Sequence, residues 1–365
     1  MKEQGHDVKI VAFPNYGYGK LVENIDLPFF AQFDQADVIY PCGKEEPYKK
    51  CESLDSYKPD YIFSQNPFNI DGWVNSVLDP FLLRTHLKTM TPHLSYIVYG
   101  PHLFHQVASN HKRLSKDVDL VFVDSESTKK IYIEEYGFDA ERVIVSGYQS
   151  YKDTKEAVKG QKPSGHKETI LWMPRWALFT YHKEKFEGGS TFLNYHFFFY
   201  NYAKTHPEIN FIIRPHMLLK SYAVEGQFMS QEDLDWILNR FKSLPNVRWS
   251  EHETSSLIDD IIESDIVVSD GTSALAEVVV ADRPIIYLSN GWDTEFNSND
   301  LGREFKDYLY FAHKAEHILR HLETIRKSDY LPYKKDKLKK REAFKKKLDP
   351  VEDPAAYITD YVSKH

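Results

Sequence analysis

Short apolar runs of four or five residues alternate with longer stretches of helical periodicity along most of the chain. Ile266-Val267-Val268-Ser269 has the composition of a buried strand and leads into a polar turn, Asp270-Gly271-Thr272-Ser273. Beyond the turn, apolar residues recur at Ala274, Leu275, Val278 and Val279, which is helical spacing. Pro284-Ile285-Ile286-Tyr287-Leu288 follows as the next strand, completing a right-handed crossover of a parallel sheet. The same alternation predicts strands at 169–173, 210–213 and 247–249, and helices from about 189 to 205, 231 to 242 and 254 to 263. Nearer the start it predicts strands at 37–40, 61–64, 95–98, 119–123 and 142–145, with a helix over 125–136 that Ser125 can cap. Strands and helices in this order make an α/β protein with parallel sheets covered by helices on both faces.

The pattern also divides the chain. Gly5 followed by Val8 to Ala12 has the form of a helix-ending glycine and then a strand, so the first domain is expected to lack its first strand. Residues 149–167, rich in Lys, Gly, Ser and Pro, read as a linker between a domain at 1–148 and one at 168–350. Residues 351–365 end the chain in an amphipathic helix. The helix carrying Phe192, Tyr195, Phe197, Phe198, Phe199, Tyr200 and Tyr202 is apolar almost all round, so it is expected to be buried or in an interdomain contact. Two domains also suit the length of 365 residues.

No run approaches the roughly 20 apolar residues of a membrane span, and residues 1–6 carry no apolar signal core. Cys42 and Cys51 fit no metal-ligand spacing and are too few for a disulfide framework, so they read as reduced thiols and the placement as cytoplasmic. The net charge of −8 conceals an asymmetry: residues 326–347 hold 11 Lys or Arg against 3 acids, a local +8 that leaves −16 elsewhere. Such a run is a solvated face, a peripheral contact with an anionic membrane, or a track for an anionic polymer. Nucleic acid is disfavoured, because the rest of the chain repels it.

Candidate chemistry gathers at strand ends. In parallel sheets ligands sit at the carboxyl ends of strands. There the turn after Ser269 offers hydroxyls (Ser269, Thr272, Ser273), Gly271 for close backbone approach, and helix amides for an anion; at the least one of these residues is expected to cap the helix. Three Pro-bearing turns join it: Gly100-Pro101-His102-Leu103-Phe104-His105, Met173-Pro174-Arg175-Trp176 and Arg214-Pro215-His216. Histidine is the natural base near neutral pH, and arginine is a planar cation matched to phosphate oxygens. No Asp-x-Asp pair stands at a matching strand end, so no metal or other cofactor is expected.

Taken together, Arg214-Pro215-His216-Met217, Ser269-Asp270-Gly271-Thr272-Ser273 and Arg283-Pro284-Ile285-Ile286-Tyr287 resemble the C-terminal half of the CDP-glycerol glycerophosphotransferase family, which builds teichoic acids and related capsule polymers. Ser146-Gly147-Tyr148 and Trp172-Met173-Pro174-Arg175-Trp176 are similar to two further segments of it, so the likeness spans roughly residues 95 to 362. It departs from the family at Gly100-Pro101-His102, where His-Gly is usual, and at Arg175-Trp176-Ala177, where Thr-Trp-Arg is usual. The resemblance implies a GT-B fold, two Rossmann-like domains with a cleft between them, the second holding the nucleotide and the last helix crossing back to the first. It implies transfer of an alditol phosphate from a CDP-activated donor to an anionic or lipid-linked glycan acceptor on the inner face of the membrane. His102 or His105 would be the base, and Arg175, Arg214, His216 and residues 269–273, Asp270 among them, would hold the donor phosphates. A nucleotide-sugar transferase using Glu277 for a ribose, or an inactive nucleotide-binding module, are the alternative readings.

Overall fold

The computed structural model describes residues 1–2, 5–17, 20–65, 83–102, 108–159, 167–176, 180–182, 185–187, 189–250, 256–271, 274–289, 300–330 and 338–364. It divides into two compact units, one of Met1–Tyr99, Val107–Gln149 and Pro350–His365, the other of Gly100–Gln106 and Ser150–Asp349.

In the first unit Gly5, at φ +89°, ends a turn: its N–H donates to the Lys2 carbonyl at 2.9 Å and that of His6 to Met1 at 3.3 Å. These are the paired bonds of a helix-ending glycine. Strands β1 (Ile10–Val11) and β2 (Val38–Ile39) then pair in parallel. A second parallel sheet runs β3 (Tyr61–Ser64), β4 (His93–Ile97), β5 (Leu120–Val123) and β6 (Val143–Val145) in sequential order. Its core joins Leu94, Tyr96, Val121 and Val123 to Ile131 and Tyr132 of the helix Glu126–Glu134, which Ser125 caps by accepting the Thr128 N–H. The last helix, Pro354–Lys364, sets Tyr361 edge-on to Phe122 with ring centres 5.7 Å apart.

One expectation is corrected in this unit. Cys42 and Cys51 are joined in a buried disulfide, because the loop between them folds back, the Lys49 N–H donating to the Cys42 carbonyl and that of Glu52 to Pro41. A count of two cysteines could not reveal that fold-back, and with the thiols paired they no longer argue for a reducing compartment. Among the described residues no helix is long and apolar enough to cross a membrane. The segment expected as a linker opens with a helix, Gln149–Val158, whose Tyr151 and Thr154 are buried.

The second unit holds a six-stranded parallel sheet built from β7 (Thr169–Met173), β8 (Asn210–Ile213), β9 (Val247–Trp249), β10 (Ile266–Ser269), β11 (Ile285–Leu288) and β12 (Tyr310–Ala312). The order is β9-β8-β7-β10-β11-β12, so the chain winds outward first on one side of β7 and then, from β10, on the other. Between β7 and β10 lies the topological switch point of a Rossmann-like sheet. Strands β7, β10 and β11 are buried throughout, as a sheet covered on both faces requires. The aromatic helix Phe192–Thr205 packs onto this sheet: Trp172 is fully buried, 5.6 Å from the Phe192 ring and 4.4 Å from that of Phe199. Only its outer side shows an aromatic, Phe197, which meets Trp236 and Arg240 of the helix Gln231–Lys242.

The basic run is not one solvated stripe. Within the helix Leu338–Leu348, Phe344 and Leu348 are buried, with Phe344 against Phe305 and Tyr308. Arg341, 1% exposed, donates from Nε to Asp282 at 3.1 Å, Lys345 reaches the other oxygen of Asp282 at 2.8 Å, and Lys347 meets Glu304 at 2.8 Å. Arg326 pairs with Glu168. Residues 331–337 lie outside the described chain.

Two tests follow from the first unit. At Gly147, φ +76°, an added Cβ would stand 2.9 Å from Val351 Cβ and 3.1 Å from Pro354 Cγ. Gly147→Ala is therefore expected to cost about 1–3 kcal/mol by strain and overpacking. Hydrogen exchange should show the loss concentrated in Pro354–Lys364. Asp124, just beyond β5, is wholly buried, and burial pushes its carboxyl up to about 6, against a smaller opposing pull from the Thr128 and Ser125 hydroxyls. A raised carboxyl favours the folded state most below about pH 4 and loses that contribution as the pH climbs through about 6. Asp124→Asn should add about 1–3 kcal/mol of stability at about pH 8 and little near pH 4. Urea titrations at the two values decide it, and equal gains at both would acquit the carboxylate.

Candidate active site

Register places the chemistry. In the second sheet Ile213 is level with Trp172, Ser269 with Met173 and Ser269 with Tyr287, so the turns after β7, β8 and β10 open at one rim. Backbone bonds extend the pairing beyond the strands: the Arg214 N–H donates to the Trp172 carbonyl at 2.9 Å and that of His216 to Pro174 at 3.0 Å. On the other side Ser269 Oγ donates to the Met173 carbonyl at 2.9 Å. Arg175, Arg214, His216, Ser269, Asp270 and Gly271 thus come together around the switch point.

Asp270 ties the rim together. Fully buried, it accepts the Arg175 N–H on Oδ1 at 2.7 Å, and on Oδ2 the Thr191 N–H at 2.6 Å, the Thr191 hydroxyl at 2.9 Å and the Ser190 hydroxyl at 3.1 Å. Burial raises its carboxyl above the usual range although those donors oppose the shift. Its backbone carbonyl accepts the Tyr287 hydroxyl at 3.3 Å. Gly271 follows at φ +102°, a conformation that residues with a Cβ rarely adopt. Among the described residues no side chain caps the helix Leu275–Val280: Ala274 stands at its N-cap, and the Ser269 hydroxyl is turned to β7.

Arg214 has a companion that the sequence reading missed. Its Nη1 donates to Asp260 at 2.7 Å and to the Ser250 hydroxyl at 3.1 Å, while Arg248 meets the other oxygen of Asp260 at 2.8 Å. Asp260 is fully buried, so one interior carboxylate stands between two guanidinium groups. An acid at 260 shares the buried side of its helix with Ile261, which is the signal that could have announced a buried cation partner.

His216 sits in the turn before the helix Leu219–Glu225. Its Nδ1 accepts the Leu218 N–H at 3.2 Å, and its ring centre is 6.4 Å from that of Trp176. Burial and the nearby Arg175 cation lower its basicity to about 4. His102 is 2% exposed and is counted with this second unit. Glu277 is buried and accepts the Ser150 hydroxyl at 3.1 Å, so its carboxylate is engaged inside the unit. His105, Thr272 and Ser273 lie outside the described residues.

The arrangement is a rim of arginines and a largely buried imidazole at the switch point of a parallel sheet. Solved structures agree about the fold. The wall teichoic acid polymerase TagF matches all of this chain and 90% of its own, with a TM-score of 0.54 at 14% identity. A histidine variant of that polymerase soaked with CDPG matches over 83% of this chain and 80% of its own, with a TM-score of 0.52 at 13% identity. UDP-GlcNAc 2-epimerase from Neisseria meningitidis, bound to UDP-GlcNAc, covers 86% of this chain and 78% of its own at 14% identity and a TM-score of 0.50. No protein-family model matches the chain, and neither does any curated protein sequence. The fold shared with these proteins is GT-B, an α/β architecture of parallel sheets.

Asp270→Asn tests the knot directly. The amide would turn an N–H toward the donors of Arg175 or Thr191 and leave at least one of them unmatched, at a cost of about 2–4 kcal/mol. Denaturant unfolding should show that loss, and a variant as stable as the parent would mean that the four bonds hold nothing together.

Proposed function

We propose that this chain is a GT-B transferase that moves glycerol phosphate, or a related alditol phosphate, from a CDP-activated donor to a hydroxyl of a teichoic acid or capsular glycan and releases CMP. The observation that carries the reading is the gathering of Arg175, Arg214 and His216 at the switch point of the second sheet. Two guanidinium groups and an imidazole on locked turns suit a pyrophosphate whose charge shifts during reaction. The resemblance of the same turns to the CDP-glycerol glycerophosphotransferases, and the fold shared with TagF, point to the donor.

In the proposed reaction an acceptor hydroxyl attacks the β-phosphorus of the donor. A new phosphorus–oxygen bond forms as the bond to the bridging oxygen breaks, and CMP takes the electron pair. His102 receives the hydroxyl proton. Arg175 and Arg214 offset the negative charge that grows on the departing phosphate, a contribution of positioning and electrostatics rather than of covalent chemistry. Asp260 and Asp270 do not touch the donor; they hold Arg214 and the Arg175 backbone where they are. On this reading the acceptor is an anionic or lipid-linked glycan, and among the described residues of the basic run the exposed Lys339, Lys340 and Lys346 would attract it or an anionic membrane.

The purified chain with CDP-glycerol and a glycerol-phosphate acceptor is expected to release CMP and add mass to the acceptor. Arg214→Ala and His102→Ala should each lower turnover by about 100-fold or more with the fold intact. Thermal shifts by UDP- or GDP-sugars, but none by CDP-glycerol or CDP-ribitol, would move the assignment to a nucleotide-sugar transferase. Binding of CDP-glycerol without turnover on any acceptor would mark an inactive nucleotide-binding module.

A further inference from the structure

We infer that His216 serves as a neutral hydrogen-bond donor, its proton locked on Nε2 by the backbone amide of Leu218, and that this N–H is what the site offers to a phosphoryl oxygen. The inference rests on the reading that the rim binds a phosphorylated donor. It gives His216 a definite chemical state, and that state can be examined without any substrate.

The argument begins with the turn. The His216 N–H is bound to the Pro174 carbonyl at 3.0 Å, and the His216 carbonyl accepts the Leu219 N–H at 2.8 Å as the helix Leu219–Glu225 begins. Both sides of the residue's backbone are fixed, which fixes where the ring starts. The Leu218 N–H then points at Nδ1 from 3.2 Å. A backbone N–H can only donate, so Nδ1 must present its lone pair, and a neutral imidazole with a lone pair on Nδ1 carries its hydrogen on Nε2. Moving the proton to Nδ1, or adding a second one there, would set two N–H groups against each other and strand a buried amide.

The surroundings act in the same direction. The ring is largely removed from water, and among the described residues the charged group that acts on it is the Arg175 cation on the β7 turn; Arg214, two residues before it, meets Asp260 and Ser250. Trp176 supplies an aromatic wall, not a charge. Burial and Arg175 disfavour the imidazolium, so the neutral donor persists through the neutral range. A base at this position would need the lone pair on Nε2, which the Leu218 amide forbids. His216 is therefore suited to bind an anionic oxygen with unchanged strength across that range, and the proton of the acceptor hydroxyl goes to another group.

The test uses the intact chain with nitrogen-15-labelled histidine. Proton–nitrogen correlation spectra that report the tautomer are recorded over about pH 5 to 8. Of the 16 histidines, His216 is assigned as the signal lost in His216→Gln. The expected result is an unprotonated Nδ1 and a protonated Nε2 whose shifts do not move over this range. A protonated Nδ1, or a titration within the range, overturns the inference even if the transferase activity is present.

The role is tested by kinetics. Glutamine can place an amide N–H near the position of Nε2, so His216→Gln is expected to keep kcat within about tenfold of the parent, while His216→Ala loses about 100-fold or more. The acidic limb of the pH–rate profile should be the same for His216→Gln as for the parent. Equal losses in the two variants, or disappearance of that limb in His216→Gln, overturn the donor role. An absence of CMP release by the parent chain would instead count against the proposed donor, and the spectra would still decide the tautomer.

Discussion

The second unit depends on one buried carboxylate. Asp270 follows β10, yet its four donors come from the turn after β7 and from the polar pair that precedes the helix Phe192–Thr205. Three pieces of chain remote in sequence are thereby fixed to one point at the switch in strand order. A carboxylate without water is tolerated only when such bonds replace its hydration. The same bonds hold the turns of the rim together, and the proposed transfer would need its cations and dipoles held in this way.

Charge is handled in the same way elsewhere. Asp260 stands between Arg214 and Arg248 and holds a cation at the rim while partly compensating it. Asp282, in a left-handed conformation at φ +58°, draws Arg341 and Lys345 onto the end of the helix Leu275–Val280. A basic run in the sequence thus becomes a packed helix whose inward cations meet acids and whose outward ones remain exposed. The partial exposure of Arg248 and Lys345 limits what each ion pair adds to stability. Their consequence is geometric: they decide which cations are drawn against acids.

The two units use glycine and aromatic residues to solve different problems. Gly147 lets the chain turn where Val351 and Pro354 leave no room for a Cβ, and so admits the last helix to the first unit. In the second unit Trp172, Phe192 and Phe199 fill the volume between sheet and helix, an amount of buried ring surface that polar residues could not supply. That helix is apolar on most of its circumference because the sheet takes one side and the helix Gln231–Lys242 takes another.

The periodicity of the sequence determined most strands of the parallel sheets and several of the helices, since a buried parallel strand must be a short apolar run and a covering helix must repeat every three or four residues. The edge strand Tyr310–Ala312 and the helices Arg84–Met90, Ala108–Asp117, Leu219–Glu225 and Ala315–Lys327 were not read from it. The strands at Thr169–Met173, Asn210–Ile213 and Val247–Trp249 have the limits that the pattern implied. It also placed Arg175, Arg214 and His216 at strand ends, because proline after an apolar run marks where a strand stops. Local pattern could not say which side chains those turns would meet. The fold-back that joins Cys42 to Cys51, the clasp of Asp270 on Thr191 and Ser190, the pairing of Arg214 with Asp260 and the amide of Leu218 on His216 were decided by tertiary structure. Each depends on segments whose approach is set by strand order and turn geometry, and neither quantity is written in the spacing of apolar residues.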